Sequence, residues 1–475
     1  MSIHPPKTID AWLAQYAEPT ADWEWPTQLW KSAWEERVNV LSWQDVELGG
    51  ADEVADVALP SRCLIMRDFG MQFDEFNMTG VYVRDEYLRI ARGMVTFAAE
   101  PYAQCLAEST SMNVMVKADA DATQGDAMQV MLGSTQSDAQ TNSSEESLPP
   151  NPFLGVPRSA FEKKVIMQLT GSPGIGKSMF LHVLLGLRLN ARLPTLFQND
   201  TSECYLFTAL GAHHVSLTTV RAPVLAASCL GGLLPSMWCL VGTDHAMPVP
   251  QVFVRYARCT IAQAAPPHRD HLEWADKQVL PSRKFWMAPF TVEEAILALP
   301  LSRNLHPSTR ELQHWFAHYA PSGLRAYQHA RRIGAYDASL TDNLPCLTRS
   351  AVHSSFPHSP SSLIHAASCL AHAVLSLRML DADNSFYYEM FACYPRWNGG
   401  VEVGSWRVPT GYLAEKIVHD LGLDLNPEMY GEDDDDAKQA KEERMKLRSQ
   451  FCEECARYPE LDAVVACLTE VVNAR

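Results

Sequence analysis

The sequence predicts an α/β fold over residues 153–343, a mainly parallel sheet followed by a small helical lid. Three observations carry that prediction. Apolar runs of strand length alternate with helical segments between residues 164 and 263. One of them, 164–170, runs straight through a Gly-rich turn into a helix-like segment at 178–189. Beyond about Pro281, as far as residue 343, the pattern becomes helical.

The elements follow in order. Residues 1–116 form a Trp-rich N-terminal accessory region in which Trp12, Trp23, Trp25, Trp30, Trp34 and Trp43 supply half of the twelve tryptophans. Trp30 and Trp34 stand four apart and share a helix face. An aromatic mini-core is the simplest reading of these rings. A docking surface for a protein partner is the alternative, because Trp is favoured at interfaces. Residues 117–152 read as a flexible acidic linker, since polar, small side chains bury too little apolar surface to offset the entropy of ordering. Strands are expected near 164–170, 193–197, 204–210, 215–220 and 237–241, with a further apolar run at 251–263. Helices are expected at 178–189, 292–299, 311–320 and 324–333, the last three forming the lid. Residues 344–475 read as a C-terminal α+β region, with a helix around 412–418 and an acidic run at 432–436 leading into a solvated helix at 438–448.

The chemistry is concentrated in Gly171-Ser172-Pro173-Gly174-Ile175-Gly176-Lys177-Ser178, which matches G-x-x-x-x-G-K-[ST] with a strand before it and a helix after it. The glycines let the backbone turn tightly so that successive N–H groups form an anion nest, and the helix adds its positive end. Gly171 to Met179 are therefore the expected nucleotide-binding residues. Lys177 is expected to reach the β- and γ-phosphates, and the Ser178 hydroxyl to ligate Mg²⁺. A second Mg²⁺ contact needs an acid at the end of a neighbouring strand. Asp244, three residues beyond Val241, is the candidate, with Gly242 at the position where an acid is expected. No Glu follows to activate water, so binding is better supported than hydrolysis. Arg325, at the start of a lid helix, is the preferred arginine for the γ-phosphate over Arg255, Arg258 and Arg269. The fold class expected is thus that of a P-loop NTPase binding Mg²⁺-ATP. GTP is disfavoured because no Asn/Thr-Lys-x-Asp element is present.

Composition narrows the alternatives. With 47% hydrophobic and 20% charged residues the chain is globular in type. The net charge of −17 is uneven: residues 1–150 carry 9 basic and 24 acidic side chains, 151–350 carry 19 and 12, and 351–475 carry 11 and 20. Only the middle third favours anions. It permits a nucleic-acid partner, but no basic patch interleaved with aromatics supports one. Twelve cysteines are scattered singly, and the one CxxC, Cys452 to Cys455, lacks the second ligand pair that zinc needs, so ordinary thiols in a reducing compartment are expected. No apolar run reaches the ~18 residues of a membrane span, and no signal peptide is seen, so an intracellular protein without membrane insertion is expected.

The segment LTGSPGIGKSMFLHVLL resembles the P-loop of the Crinkler and retrotransposon hot spot family of NTPases. Further similarities follow in the family's order across residues 160–335. Met237-Trp238-Cys239-Leu240-Val241 resembles its Walker B strand, 266–277 with Trp274 and Lys277 its next segment, Phe285 to Glu294 its Met-Pro-aromatic element and helix start, and Tyr319 to Arg325 its lid element. The resemblance implies a nucleotide-dependent regulatory or effector protein, in some members secreted and acting in a nucleus. Gly242 stands where the family's Walker B strand ends in Asp, and Gly323-Leu324-Arg325 keeps the family's lid Arg without its Pro. These departures imply slow hydrolysis, or a nucleotide-gated interaction protein. Neither the family's nuclease element nor its kinase loop is found in the C-terminal region.

Overall fold

The computed structural model describes residues 6–46, 59–67, 79–100, 148–198, 201, 203–217, 229–243, 247–267, 269–301, 307–319, 321–342, 392–398 and 401–420. The chain opens with α1 (Ile9–Tyr16), capped by the Thr8 hydroxyl, which accepts from Ala11 N. β1 (Glu18–Pro19) and α2 (Trp25–Trp30) follow, and α2 continues as a π-turn to Glu35. β2 (Leu41–Asp45), β3 (Arg62–Arg67) and β4 (Gly80–Tyr82) form a three-stranded antiparallel sheet, and α3 spans 85–100. Next come β5 (Ile166–Thr170), α4 (Lys177–Asn190), β6 (Thr195–Gln198), β7 (Glu203–Thr208) and β8 (Gly211–Ser216). A short helix, α5, at 229–233 precedes β9 (Trp238–Gly242), α6 (Val252–Tyr256), β10 (Thr260–Ala264), α7 (Arg269–Asp276) and β11 (Ser282–Trp286). The lid consists of α8 (Val292–Ala298), α9 (Thr309–His318), α10 (Gly323–His329) and α11 at 333–342. A hairpin of β12 (Ala392–Asn398) and β13 (Val401–Arg407) precedes α12 (Gly411–Asp420).

The main sheet has eight strands in the order β1-β8-β7-β6-β9-β10-β5-β11. β6, β9, β10, β5 and β11 run parallel, while β7, β8 and β1 extend one side antiparallel. The fold is therefore α/β, with a mixed and mostly parallel sheet. All five residues of β5 are buried, as an apolar run covered on both faces requires. The alternation along the strands separates two cores. Met167, Leu169, Trp238, Leu240 and Ala262 face α4, whereas Ile166, Cys239, Val241 and Ile261 pack with Val254 and Trp274.

The N-terminal region has a physical reason in α4. Every residue from Phe180 to Leu189 is buried, so this helix has no solvent face. One side lies on the sheet. The other is covered by Leu29, Ala33, Trp34, Val40, Leu64 and Met66. At Gly186 the cover comes close, with Val40 Cγ2 2.8 Å from the place of a Cβ. The tryptophans are distributed over the whole sheet. Trp12 lies in the second core, Trp34 in the first, and Trp25 sets its edge against Phe197 and Tyr205 at 6.0 and 5.3 Å. Trp30 Nε1 donates to the Thr208 carbonyl at 2.8 Å. Trp23 alone among these is strongly exposed, at 78%.

Two expected strands are redrawn. The runs at 204–210 and 215–220 form one hairpin, β7–β8, whose turn at Ala209 and Leu210 starts the second strand earlier than its apolar residues suggest. The run at 251–263 divides into α6 and β10 at Arg258, whose φ of 51° breaks both patterns. The helix expected at 311–320 begins earlier, at Thr309, behind a capping box of Ser308 and Glu311. The linker segment 117–147, the acidic run 432–436, the helix expected at 438–448, and Cys452 and Cys455 lie outside the described residues.

Candidate functional site

β5 delivers the Gly-rich loop to the carboxyl edge of the sheet. Its neighbours on the two sides are β10 and β11, with Leu169 level with Ala264 and Phe285. The chain leaves β5 through α4 toward β6 on one side, and leaves β10 through α7 toward β11 on the other. Connections that depart in opposite directions from adjacent strands open a crevice at their carboxyl ends, where open α/β sheets bind ligands.

The loop's shape follows from its glycines. Gly174 and Gly176 have φ of 72° and 88°. Only glycine adopts such angles without strain. Space imposes the same choice, because a Cβ on Gly174 would meet Leu324 Cβ at 2.9 Å and also run into Ser322 Oγ, and one on Gly176 would run into the Tyr87 hydroxyl. Gly176 is also the N-cap of α4 and supplies no side chain to its first N–H groups. Those donors and the helix dipole point to the crevice. Ile175 is fully buried and anchors the loop. Lys177 Nζ arches back over it and donates to the Gly171 and Ser172 carbonyls at 2.8 and 2.7 Å.

The rear of the loop is held by residues far away in sequence. Arg84, 1% exposed, donates through Nη1 to the Ile175 carbonyl at 3.0 Å and through Nη2 to the Ala288 and Pro289 carbonyls at 3.1 and 2.7 Å. Its charge is met by Glu294 at 2.8 Å and by the Phe290 ring, 4.3 Å away. Glu294 also accepts from Thr291 N in the capping box of α8, so one carboxylate fixes both the helix start and the arginine. Tyr87 donates its hydroxyl proton to the Gly176 carbonyl at 2.9 Å, and burial raises its phenol well above the usual range. The preceding residue, Glu86, accepts from Ala288 N at 2.7 Å and pairs with Arg89. Burial alone would raise the Glu86 carboxyl, but the hydrogen bonds from Arg89 and Ala288 N outweigh it and lower the pKa.

The lid closes the front. Leu324 N donates to the Gly174 carbonyl at 3.3 Å, and Ser322 caps α10. Between lid, loop and β4 lies a cavity of about 260 Å³. Gly174, Gly176, Lys177 and Ser178 line its polar end. Val81, Tyr82, Met179, Phe290, Leu324 and Tyr327 line most of the rest.

The expected site residues are distributed as follows. Gly174, Gly176, Lys177, Ser178 and Met179 reach the cavity, while Gly171 and Ser172 are buried at the loop's base and Pro173 is half-buried. Arg325 is half-buried in the first turn of α10 and is not among the residues lining the cavity. At the end of β9, Gly242 pairs with Ala264. Thr243 donates its hydroxyl to the Ala264 carbonyl at 3.0 Å and accepts from Gln263 Nε2 at 3.1 Å. Gln263 in turn bonds Gln168, Trp274 and the His271 carbonyl, joining β5, β10 and α7 behind the crevice. Asp244 lies outside the described residues. Among the described residues, no cluster of three or more His, Cys, Asp or Glu forms a metal cage. The Ser178 hydroxyl, on the cavity wall, is an oxygen that could help to hold a cation.

Arg84, Tyr87 and Glu294 had no signature in the sequence, because Arg84 and Tyr87 reach the loop across 91 and 89 residues of chain and Glu294 acts through Arg84. No family model matches the chain, and no curated protein is significantly similar to it. Among the described residues, no helix is long and apolar enough to cross a membrane.

Proposed function

We propose that this chain is a nucleotide-binding P-loop NTPase that takes Mg²⁺-ATP at the Gly171–Ser178 loop and serves as a regulatory or effector protein of the kind the Crinkler resemblance implies. The carrying observation is the loop's setting: it joins a buried parallel strand to an uncapped helix N-terminus and places Lys177 and Ser178 on one cavity beneath a lid. In this reading the loop N–H groups and Lys177 bind the phosphates, exchanging the lysine's carbonyl contacts for phosphate oxygens. The Ser178 hydroxyl and Asp244 would hold Mg²⁺, which would neutralise phosphate charge. Arg325 would act at the γ-phosphate after movement of α10.

A second reading, a nucleotide-gated switch with little turnover, is favoured by Gly242. It leaves the end of β9 without a carboxylate, and the adjacent Thr243 hydroxyl is committed to Ala264 and Gln263. The deciding experiment measures Mg²⁺-ATP affinity and phosphate release for the wild type, Lys177→Ala and Asp244→Ala. Binding with turnover that both substitutions abolish establishes the ATPase with Asp244 in the metal shell. Binding without turnover establishes the switch. Absence of nucleotide binding by the wild type refutes both.

A further inference from the structure

The cavity beside the loop is continuous with the phosphate end and differs from it in chemistry. We infer that it is a nucleobase subsite that works by packing and without a base-selective hydrogen bond, so that adenine and guanine nucleotides bind with nearly equal affinity. This rests on the reading of the Gly171–Ser178 loop as the phosphate site.

The argument concerns which polar groups are left to face a base edge. Val81, Met179, Phe290, Ala298 and Leu324 offer only apolar surface. Two of the three tyrosines that line the cavity have committed their hydroxyl protons. Tyr87 donates to the Gly176 carbonyl at 2.9 Å, and Tyr327 donates to the Ala295 carbonyl at 2.6 Å. Lys177 and Ser178 stand at the phosphate end. Tyr82 remains, and burial together with nearby Glu294 and Asp85 keeps its phenol protonated. A neutral hydroxyl both donates and accepts, so it meets the amino group of adenine and the carbonyl of guanine equally well. Among the described lining residues, no side-chain carboxylate or amide marks one base.

The two ligand halves meet at Met179 and Leu324. Met179 follows the phosphate-binding Ser178 in α4, and Leu324 bonds the loop through its backbone while its side chain lines the apolar end. Sites that hydrogen-bond a distinguishing group reject the analogue by 10⁴-fold or more, whereas apolar pockets discriminate by about 10–200-fold. The purine ratio here belongs at the low end.

The test uses the full chain with Mg²⁺ and three probes: ATP, GTP and inorganic tripolyphosphate. The variants are Leu324→Glu, Met179→Glu and Lys177→Ala, each checked for a native thermal transition. Two different cavity positions are used so that a folding failure at one leaves the other informative. The expected result is ATP and GTP dissociation constants within about tenfold of each other. Either Glu variant should weaken both nucleotides at least tenfold relative to its effect on tripolyphosphate, and Lys177→Ala should weaken all three probes. A preference above about 100-fold for one purine overturns base tolerance. Folded Glu variants that bind nucleotides as the wild type does overturn the subsite. Tripolyphosphate and nucleotides both failing to bind the wild type overturns the phosphate site itself.

Discussion

Arg84 Nη1 donates to the Ile175 carbonyl at 3.0 Å, joining the start of the N-terminal helix α3 to the centre of the Gly-rich loop. The guanidinium is almost wholly buried, and its ion partner Glu294 is 17% exposed. Removing one partner of such a pair leaves an uncompensated charge, at a cost of about 3–5 kcal/mol. Arg84→Ala is expected to lose about that much in urea unfolding and to weaken nucleotide binding. Arg84→Lys keeps the charge and loses the fork that reaches several carbonyls together, so it should recover stability more than affinity. Equal recovery of both would assign Arg84 a purely structural role.

Gly176 and Tyr87 form a second coupled pair. Gly176→Ala is expected to destabilise by about 2 kcal/mol or more, from its left-handed backbone and from contact with the Tyr87 hydroxyl. Tyr87→Phe alone leaves the Gly176 carbonyl without this donor, at about 1–3 kcal/mol. In the double variant the clash is relieved, so the two costs should sum to more than the measured loss. Strict additivity in a double-mutant cycle would refute the contact.

Acid stability should depend on His182. Burial drives its pKa down to about 4 from the ordinary imidazole value of 6.5, against a smaller opposing effect of the bond to the Ser178 carbonyl. The unfolded chain therefore takes up this proton first, and the folded protein loses stability as pH falls from about 6.5 toward 4. The full effect is on the order of 3 kcal/mol. Stability of His182→Gln measured across the same range should fall less steeply, and an unchanged slope would exclude His182 as the source.

The lid and the C-terminal helix share one carboxylate. Asp337 accepts from Tyr319 and Tyr412 hydroxyls at 3.0 and 2.6 Å and pairs with Lys416 at 3.2 Å. Burial pushes this carboxyl upward, but the two tyrosines and Lys416 outweigh it and hold the pKa below the ordinary Asp value. Asp337→Ala is expected to release α12 from α9 and α11, at about 1–3 kcal/mol, with faster hydrogen exchange across 411–420 than in α4. Uniform acceleration in both helices would instead indicate global destabilisation.

The alternating runs and the Gly-rich turn made β5, α4, β6 and β9 legible, because buried parallel strands and their crossover helices carry continuous apolar sequence, whereas β11 (Ser282–Trp286), whose exposed and half-buried Ser, Arg and Lys hide the strand, stands where a helical pattern was expected. The β7–β8 hairpin and the division of 251–263 were obscured because apolar content alone does not locate a turn. The tryptophan cluster was visible, but its destination was not. Rings within one short segment could pack on each other or on anything else, and here Trp12, Trp25 and Trp34 serve three different parts of the sheet and its covering helix.

The loop's chemistry is local: glycines at three positions, a lysine and a serine at fixed spacing, and a strand and helix on either side. Residues 171–178 carry all of that information themselves, which is why the loop could be singled out from the chain alone. What surrounds it is not local. Arg84, Tyr87 and Glu294 behind the loop, Leu324 and Tyr327 in front, and Val81 and Tyr82 at the side come from segments whose meeting depends on how α4 is covered and how the lid returns. Long-range packing has no fixed spacing to recognise, so the apolar end of the cavity and the clamp on the loop emerged only once the chain was folded.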